Sequence, residues 1–174
     1  MKETDNSYMQ EHEHGTDQYL TFILGDEEYG VNILKVQEIR GWDSATSIPN
    51  TPDYVLGVVN LRGVVVPIID LRKRFDLASA EFGPTTVVVI VKTTQSGKER
   101  TVGMVVDAIS DVYNINIDDI HDAPDLGSIV ATEYITGLTT VDEKMVILLN
   151  IDMLINSGVL EVASKENETA ATLA

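Results

Sequence analysis

The chain states one strand plan twice, and that repetition constrains its fold more than any other feature. Tyr29-Gly30-Val31-Asn32-Ile33, followed by Val36, Glu38 and Ile39, recurs as Val102-Gly103-Met104-Val105-Val106, followed by Ile109, Asp111 and Val112, at a constant offset of 73 (103 − 30 = 111 − 38). Gly57 with Val65 to Leu71 recurs as Gly137 with Met145 to Ile151, at an offset of 80 (137 − 57 = 150 − 70). Self-similarity at this period marks two structural units on one plan, with a cleft between them as the place to look for function. About seven extra residues separate the copies, and the segment Ile120 to Leu126 is expected to hold them.

The repeated segments read as short strands. Gln18 to Leu24, Glu27 to Ile33, Gln37 to Trp42, Leu56 to Arg62 and Val64 to Ile69 are rich in β-branched and aromatic residues, broken by Gly25-Asp26, Asn50-Thr51-Pro52-Asp53 and the Arg62-Gly63 corner. The second copy predicts strands at Thr85 to Thr93, Thr101 to Asp107, Ile109 to Ile115, Tyr134 to Val141 and Met145 to Leu149. Asp70 and Asn150 close the two sets as caps of short helices, the second ending near Gly158. Five short antiparallel strands in about 65 residues suit a small barrel, since closure removes exposed sheet edges. Pro67, lacking an N–H, is expected at an edge or bulge of the closing strand. The expected organisation is therefore all-β: a first barrel over 17–83, a second over 84–158, and flexible polar tails over 1–16 and 159–174.

Charge narrows the partners. The net −16 includes −4 in residues 1–17 and −2 in 159–174, leaving about −10 on the folded part, which repels nucleic-acid backbones and anionic lipid. With no cysteine there is no disulfide, thiolate nucleophile or Cys-ligated zinc, and no apolar run reaches the roughly 20 residues of a membrane helix. A cytosolic protein without a cofactor is expected. No Gly-rich phosphate loop, Gly-x-Ser-x-Gly elbow or histidine beside a credible nucleophile appears in the repeated core, so no catalytic site is expected.

The run Gly25 to Arg40, then Ile48-Pro49-Asn50-Thr51-Pro52, then Gly57-Val58-Val59-Asn60-Leu61-Arg62-Gly63 through Arg72, resembles the CheW family of bacterial chemotaxis coupling proteins. The likeness continues through Val102 to Asp107, Glu133 to Leu138 and Met145 to Asp152. It implies two similar five-stranded SH3-like barrels packed around a shared hydrophobic core. It also implies a non-enzymatic adaptor joining the cytoplasmic tips of methyl-accepting chemoreceptors to the regulatory domain of the histidine kinase CheA, cytoplasmic and recruited to membrane receptor arrays through those partners. Matching the family's pattern, Val36, Glu38, Gly57 and Arg62 are the expected receptor-binding residues, and His121 and Leu126 the expected kinase-binding ones. His and Leu stand at the last two positions where basic and aromatic residues are common in the family.

Each of these residues also has a plainer reading. Arg62-Gly63 can be a solvated hairpin corner, Gly57 a strand-start glycine shared with Gly137, and Val36 a core residue in a segment with more apolar positions than one buried face needs. Glu38 and Asp111 occupy equivalent repeat positions, which suggests a shared structural role such as bonding turn amides. In the family, Gly57 lets a receptor helix approach the backbone. His121 and its aspartates lack metal-ligand spacing, and His12 and His14 fall in the amino-terminal tail. A CheW-like coupler serving a pilus or biofilm pathway, and more distantly an acid–base enzyme with carboxylates in the inter-barrel cleft, are the alternatives.

Overall fold

The computed structural model describes residues 15–78, 80–123 and 132–156. The β-branched runs form β1 (Thr16–Leu24), β2 (Glu27–Asn32), β3 (Val36–Gly41), β4 (Val55–Leu61), β5 (Val64–Asp70), β6 (Val87–Gln95), β7 (Lys98–Val106), β8 (Ala108–Asn116), β9 (Ile135–Val141) and β10 (Lys144–Leu149). Helix α1 (Leu71–Arg74) follows β5, and α2 (Ile151–Asn156) follows β10. Their caps are those expected: the Asp70 carboxylate accepts from Arg72 N–H at 3.0 Å and Asn150 Oδ1 from Met153 N–H at 3.1 Å. Thr16, expected in a tail, already belongs to β1. Residues 1–14 and 159–174 of the expected tails, and the predicted helix end at Gly158, lie outside the described residues.

The strands form two five-stranded sheets, ordered β8-β1-β2-β10-β9 and β3-β6-β7-β5-β4. Replacing each strand of the second by its repeat equivalent gives the order of the first, so the two sheets are related strand for strand. Each closes toward an SH3-like barrel when the chain beyond its third-strand element returns to the fourth: Thr46 pairs with Val58 on β4, and His121 with Leu138 on β9.

The assignment of strands to barrels differs from the expected division at 83/84. The chain crosses between sheets twice, at Ile33–Lys35 and at Asp107, so one barrel is the continuous stretch from Val36 to Val106 and the other is made from both ends of the chain. We term these the central and the terminal barrel. The exchange is held by two parallel ladders, Glu28–Val31 against Val146–Leu149 and Ile68–Asp70 against Gly103–Val105. Strand periodicity carries no information about which of two similar partners a strand will pair with. Pro67 is also placed differently: it lies inside β5 opposite Val58, one residue before the β5–β7 ladder begins at Ile68, so its missing N–H costs that ladder nothing.

Exchange explains the uninterrupted apolar runs, because β1 and β6 are buried on both faces. Leu20, Phe22 and Leu24, with Val89 and Val91, enter a core shared between the barrels, together with Met104, Leu71 and Leu154. The alternate residues line separate barrel interiors, Val88 and Ile90 with Leu61, Val66 and Ile68 in the central barrel, and Tyr19 with Ile115, Val146 and Leu148 in the terminal one.

Both crossings carry a clasp. Asp107 takes Arg72 with both oxygens (2.7 and 2.5 Å) and accepts Gly25 N–H at 2.8 Å, tying α1 to the β1–β2 turn of the opposite barrel. Asp152 on α2 takes Lys35 Nζ at 2.9 Å and accepts Thr94 N–H at 3.0 Å, tying the other crossing to β6. Burial pushes each carboxyl up, yet the cation and backbone donor outweigh it, holding both below the usual carboxylate range. At the seam between barrels, the Arg74 guanidinium lies over the rings of Tyr54 and Tyr134, which are themselves repeat equivalents (134 − 54 = 80).

Candidate functional site

The four residues expected to meet the receptor lie on the central barrel. Glu38 stands on β3 just past a bulge at Gln37, where register shifts between Val36–Val91 and Glu38–Ile90. The β4–β5 corner places Arg62 beside it: Arg62 adopts a left-handed φ of 53°, Asn60 Oδ1 accepts Gly63 N–H at 2.8 Å, and Arg62 Nη2 donates to Glu38 Oε1 at 2.7 Å. The Arg62 side chain remains 72% exposed while Glu38 is 26% exposed, so the carboxylate orients the guanidinium without covering it. A fork with free donors can bond carboxylates or carbonyls of a partner.

Glu38 and its repeat counterpart do different work. Asp111 Oδ1 accepts from Val112 N–H at 2.8 Å, while its backbone exchanges bonds with Thr21 Oγ1 at 3.1 Å. The common role expected of the two carboxylates is therefore replaced by a common bulge position, with an ion pair across the barrel in one copy and a bond to the next residue's N–H within β8 in the other.

Gly57 has a φ of 142°, and a Cβ there would overlap the Thr46 carbonyl, whose backbone pairs with Val58. The close approach at Gly57 is thus first made by the chain's own 46–47 segment. Gly137 serves the terminal barrel in the same way, since a Cβ there would lie 2.8 Å from the His121 carbonyl oxygen. Val36 is half-buried against the shared core; the apolar residues of this segment that reach solvent are Leu34 and Ile39.

His121 is on the terminal barrel, apart from the other four. Its N–H and C=O exchange bonds of 2.8 and 2.7 Å with Leu138 while its side chain is exposed. Leu126 lies outside the described residues.

Sequence reading missed what adjoins the Glu38–Arg62 pair. Between β3 and β4, the end strands of the central sheet, is a cavity of about 160 Å³ with exposed Arg40 and Asn60, half-buried Trp42 and Val59, and buried Ile68, Val88 and Ile90 along its walls. Its signal was present in the repeat: the offset of 73 sets Arg40 against Tyr113, a mismatch of a cation with an aromatic ring.

The family model described as CheW-like domain matches residues 18–159. The chain is 49% identical over 140 residues to the Chemotaxis protein CheW of Klebsiella aerogenes, covering 80% of this chain and 82% of that one. It is 38% identical over 149 residues to the Chemotaxis protein CheW of Rhizobium meliloti, covering 86% and 94%. The crystal structure of the scaffolding protein TtCheW from Thermoanaerobacter tengcongensis superposes with a TM-score of 0.72 at 31% identity, covering 80% of this chain and 88% of that chain. With the family model spanning both barrels, this chain belongs to the CheW-like family.

Proposed function

We propose that this protein is a chemotaxis coupling adaptor, a non-enzymatic scaffold that brings the histidine kinase CheA under the control of chemoreceptors. The observation that carries this reading is the family match across residues 18–159, both barrels and both crossings included. The receptor tip docks on the central barrel beside Glu38 and Arg62, where an exposed guanidinium is held in fixed orientation by the Glu38 carboxylate. Val36 and Gly57 support that surface from beneath, Val36 through the shared core and Gly57 by letting the 46–47 segment close on β4. The kinase regulatory domain docks on the terminal barrel through the His121 segment and Leu126.

The distant alternative of a cleft enzyme is not favoured. It needs a carboxyl raised toward neutrality as a general acid, whereas Asp107 and Asp152 are held low and committed to Arg72 and Lys35. The protein acts in the cytoplasm, and among the described residues no helix is long and apolar enough to cross a membrane.

The test is reconstitution of a chemoreceptor cytoplasmic fragment, CheA and this protein. Purified protein alone carries out no phosphotransfer, and receptor control of the kinase requires its addition. Arg62→Glu lowers receptor binding while leaving regulatory-domain binding intact. Phosphotransfer by the protein alone, or receptor control without it, contradicts the reading.

A further inference from the structure

The two barrels are equivalent strand for strand, yet they are filled differently. In the terminal barrel Tyr19 and Tyr113 face each other across β1 and β8, Tyr19 buried and Tyr113 half-buried against Ile115, Val146 and Leu148. In the central barrel the same two register positions hold Val88 and Arg40, paired across β6 and β3. Where one barrel has two phenol rings, the other has a small aliphatic side chain and an exposed, flexible cation. The cavity of about 160 Å³ opens at these two positions, with the half-buried Trp42 ring, itself held against Phe82, on one wall.

We propose that this cavity is an anchor pocket for one aromatic side chain projecting from the chemoreceptor tip, which fills the central barrel as tyrosine fills the terminal one. The proposal rests on the reading that the receptor docks beside Glu38 and Arg62. Three observations select this occupant. The floor is apolar, formed by Val59, Ile68, Val88 and Ile90, and Leu148, the repeat equivalent of Ile68, clusters with Tyr19 in the terminal barrel. The rim residue Arg40 forms no ion pair among the described residues and can lie over an inserted ring, as Arg74 does over Tyr54 and Tyr134 in this same molecule. The opening is continuous with the proposed docking surface, because Asn60 lines it and also fixes the Arg62 corner through Gly63 N–H, and Arg40 follows Glu38 by two residues on β3. A pre-formed apolar pocket beside an oriented charge is the arrangement in which a single buried anchor dominates binding.

The experiment plugs the cavity with the terminal barrel's own residues. Val88→Tyr fills it from the floor, and Arg40→Tyr, at an exposed position, fills it from the rim. Binding is measured to a chemoreceptor cytoplasmic fragment and, separately, to the CheA regulatory domain, with Arg62→Glu alongside. Each folded plug variant is expected to weaken receptor-fragment binding at least tenfold and to leave regulatory-domain binding within twofold. In unmodified protein, the methyl resonances of Val59, Ile68, Val88 and Ile90 shift when the receptor fragment is added, by ring current. If the plug variants bind the receptor fragment as the parent does while Arg62→Glu does not, the anchor pocket is wrong and the docking surface stands. If Arg62→Glu also binds normally, the docking surface is wrong. Methyl shifts raised by the regulatory domain instead of the receptor fragment overturn the choice of partner, and absence of shifts with the receptor fragment overturns the pocket even where Val88→Tyr does not fold.

Discussion

The two crossings between barrels have the same construction and opposite charge. At one, the cation is on the helix (Arg72) and the anion on the crossing (Asp107); at the other, the helix carries the anion (Asp152) and the crossing the cation (Lys35). In both, the carboxylate also accepts a backbone N–H at the junction, from Gly25 of the terminal barrel or Thr94 of the central barrel. A sequence repeat therefore preserves the mechanical role, a carboxylate bridging two barrels, without preserving which element supplies it. The same holds at the barrel mouths, where Gly57 and Gly137 act alike while Glu38 and Asp111, or Arg40 and Tyr113, do not.

Substitution at the two glycines tests this equivalence with the largest expected effects. Gly57→Ala sets a β-carbon against a backbone carbonyl at a positive φ, whereas Gly137→Ala meets the Ile120 methyl and the His121 carbonyl without a left-handed φ. Strain and overlap together predict a loss of about 3 kcal/mol or more for the first and about 2 kcal/mol for the second. Urea midpoints at equal m-value check this, and equal losses would mean the two closures are mechanically identical.

Smaller effects separate the clasps. Asp107→Asn weakens a two-pronged, mostly buried arginine pair and is expected to cost about 2 kcal/mol. Asp152→Asn acts on a lysine pair with a third or more of each side chain exposed, so solvent screening holds it to about 1 kcal/mol. The order Asp107 over Asp152 is read from denaturant titrations at pH 7.

Acid sharpens the same comparison. Both carboxyls are depressed in the folded protein, so their contribution is fully present above the ordinary carboxylate value, about pH 4, and is lost as pH falls through the lower folded values. The stability gap between parent and Asp107→Asn is expected to hold from about pH 7 to about pH 5 and to shrink below about pH 4. A gap that widens on acidification would reverse the assigned sign.

The smallest stability effect belongs to the site proposed for function. Arg62→Ala removes a pair whose cation is 72% exposed, and a change under about 0.5 kcal/mol is expected by thermal or urea unfolding. A larger loss would place Arg62 among the structural clasps.

Strand positions, helix caps and the Arg62 corner were legible because their causes are local. β-branched runs set the ten strands, Asp70 and Asn150 are short polar acceptors ahead of helices, and Asn60-Leu61-Arg62-Gly63 carries its own turn chemistry. The candidate receptor-facing residues came from the family resemblance, since nothing in the residues alone pairs Glu38 with Arg62 across the barrel. The exchange at Ile33–Lys35 and Asp107 was not legible, because the segments Glu28–Val31 and Gly103–Val105 have the same pattern and either could pair with either closing strand. That choice is made by burial of both faces of β1 and β6 in three cores, a collective energy that no single segment carries. The cavity was hidden for the same reason. The repeat alone determines that Val88 and Arg40 stand where Tyr19 and Tyr113 do, but empty space exists only once strands from distant parts of the chain have closed around it.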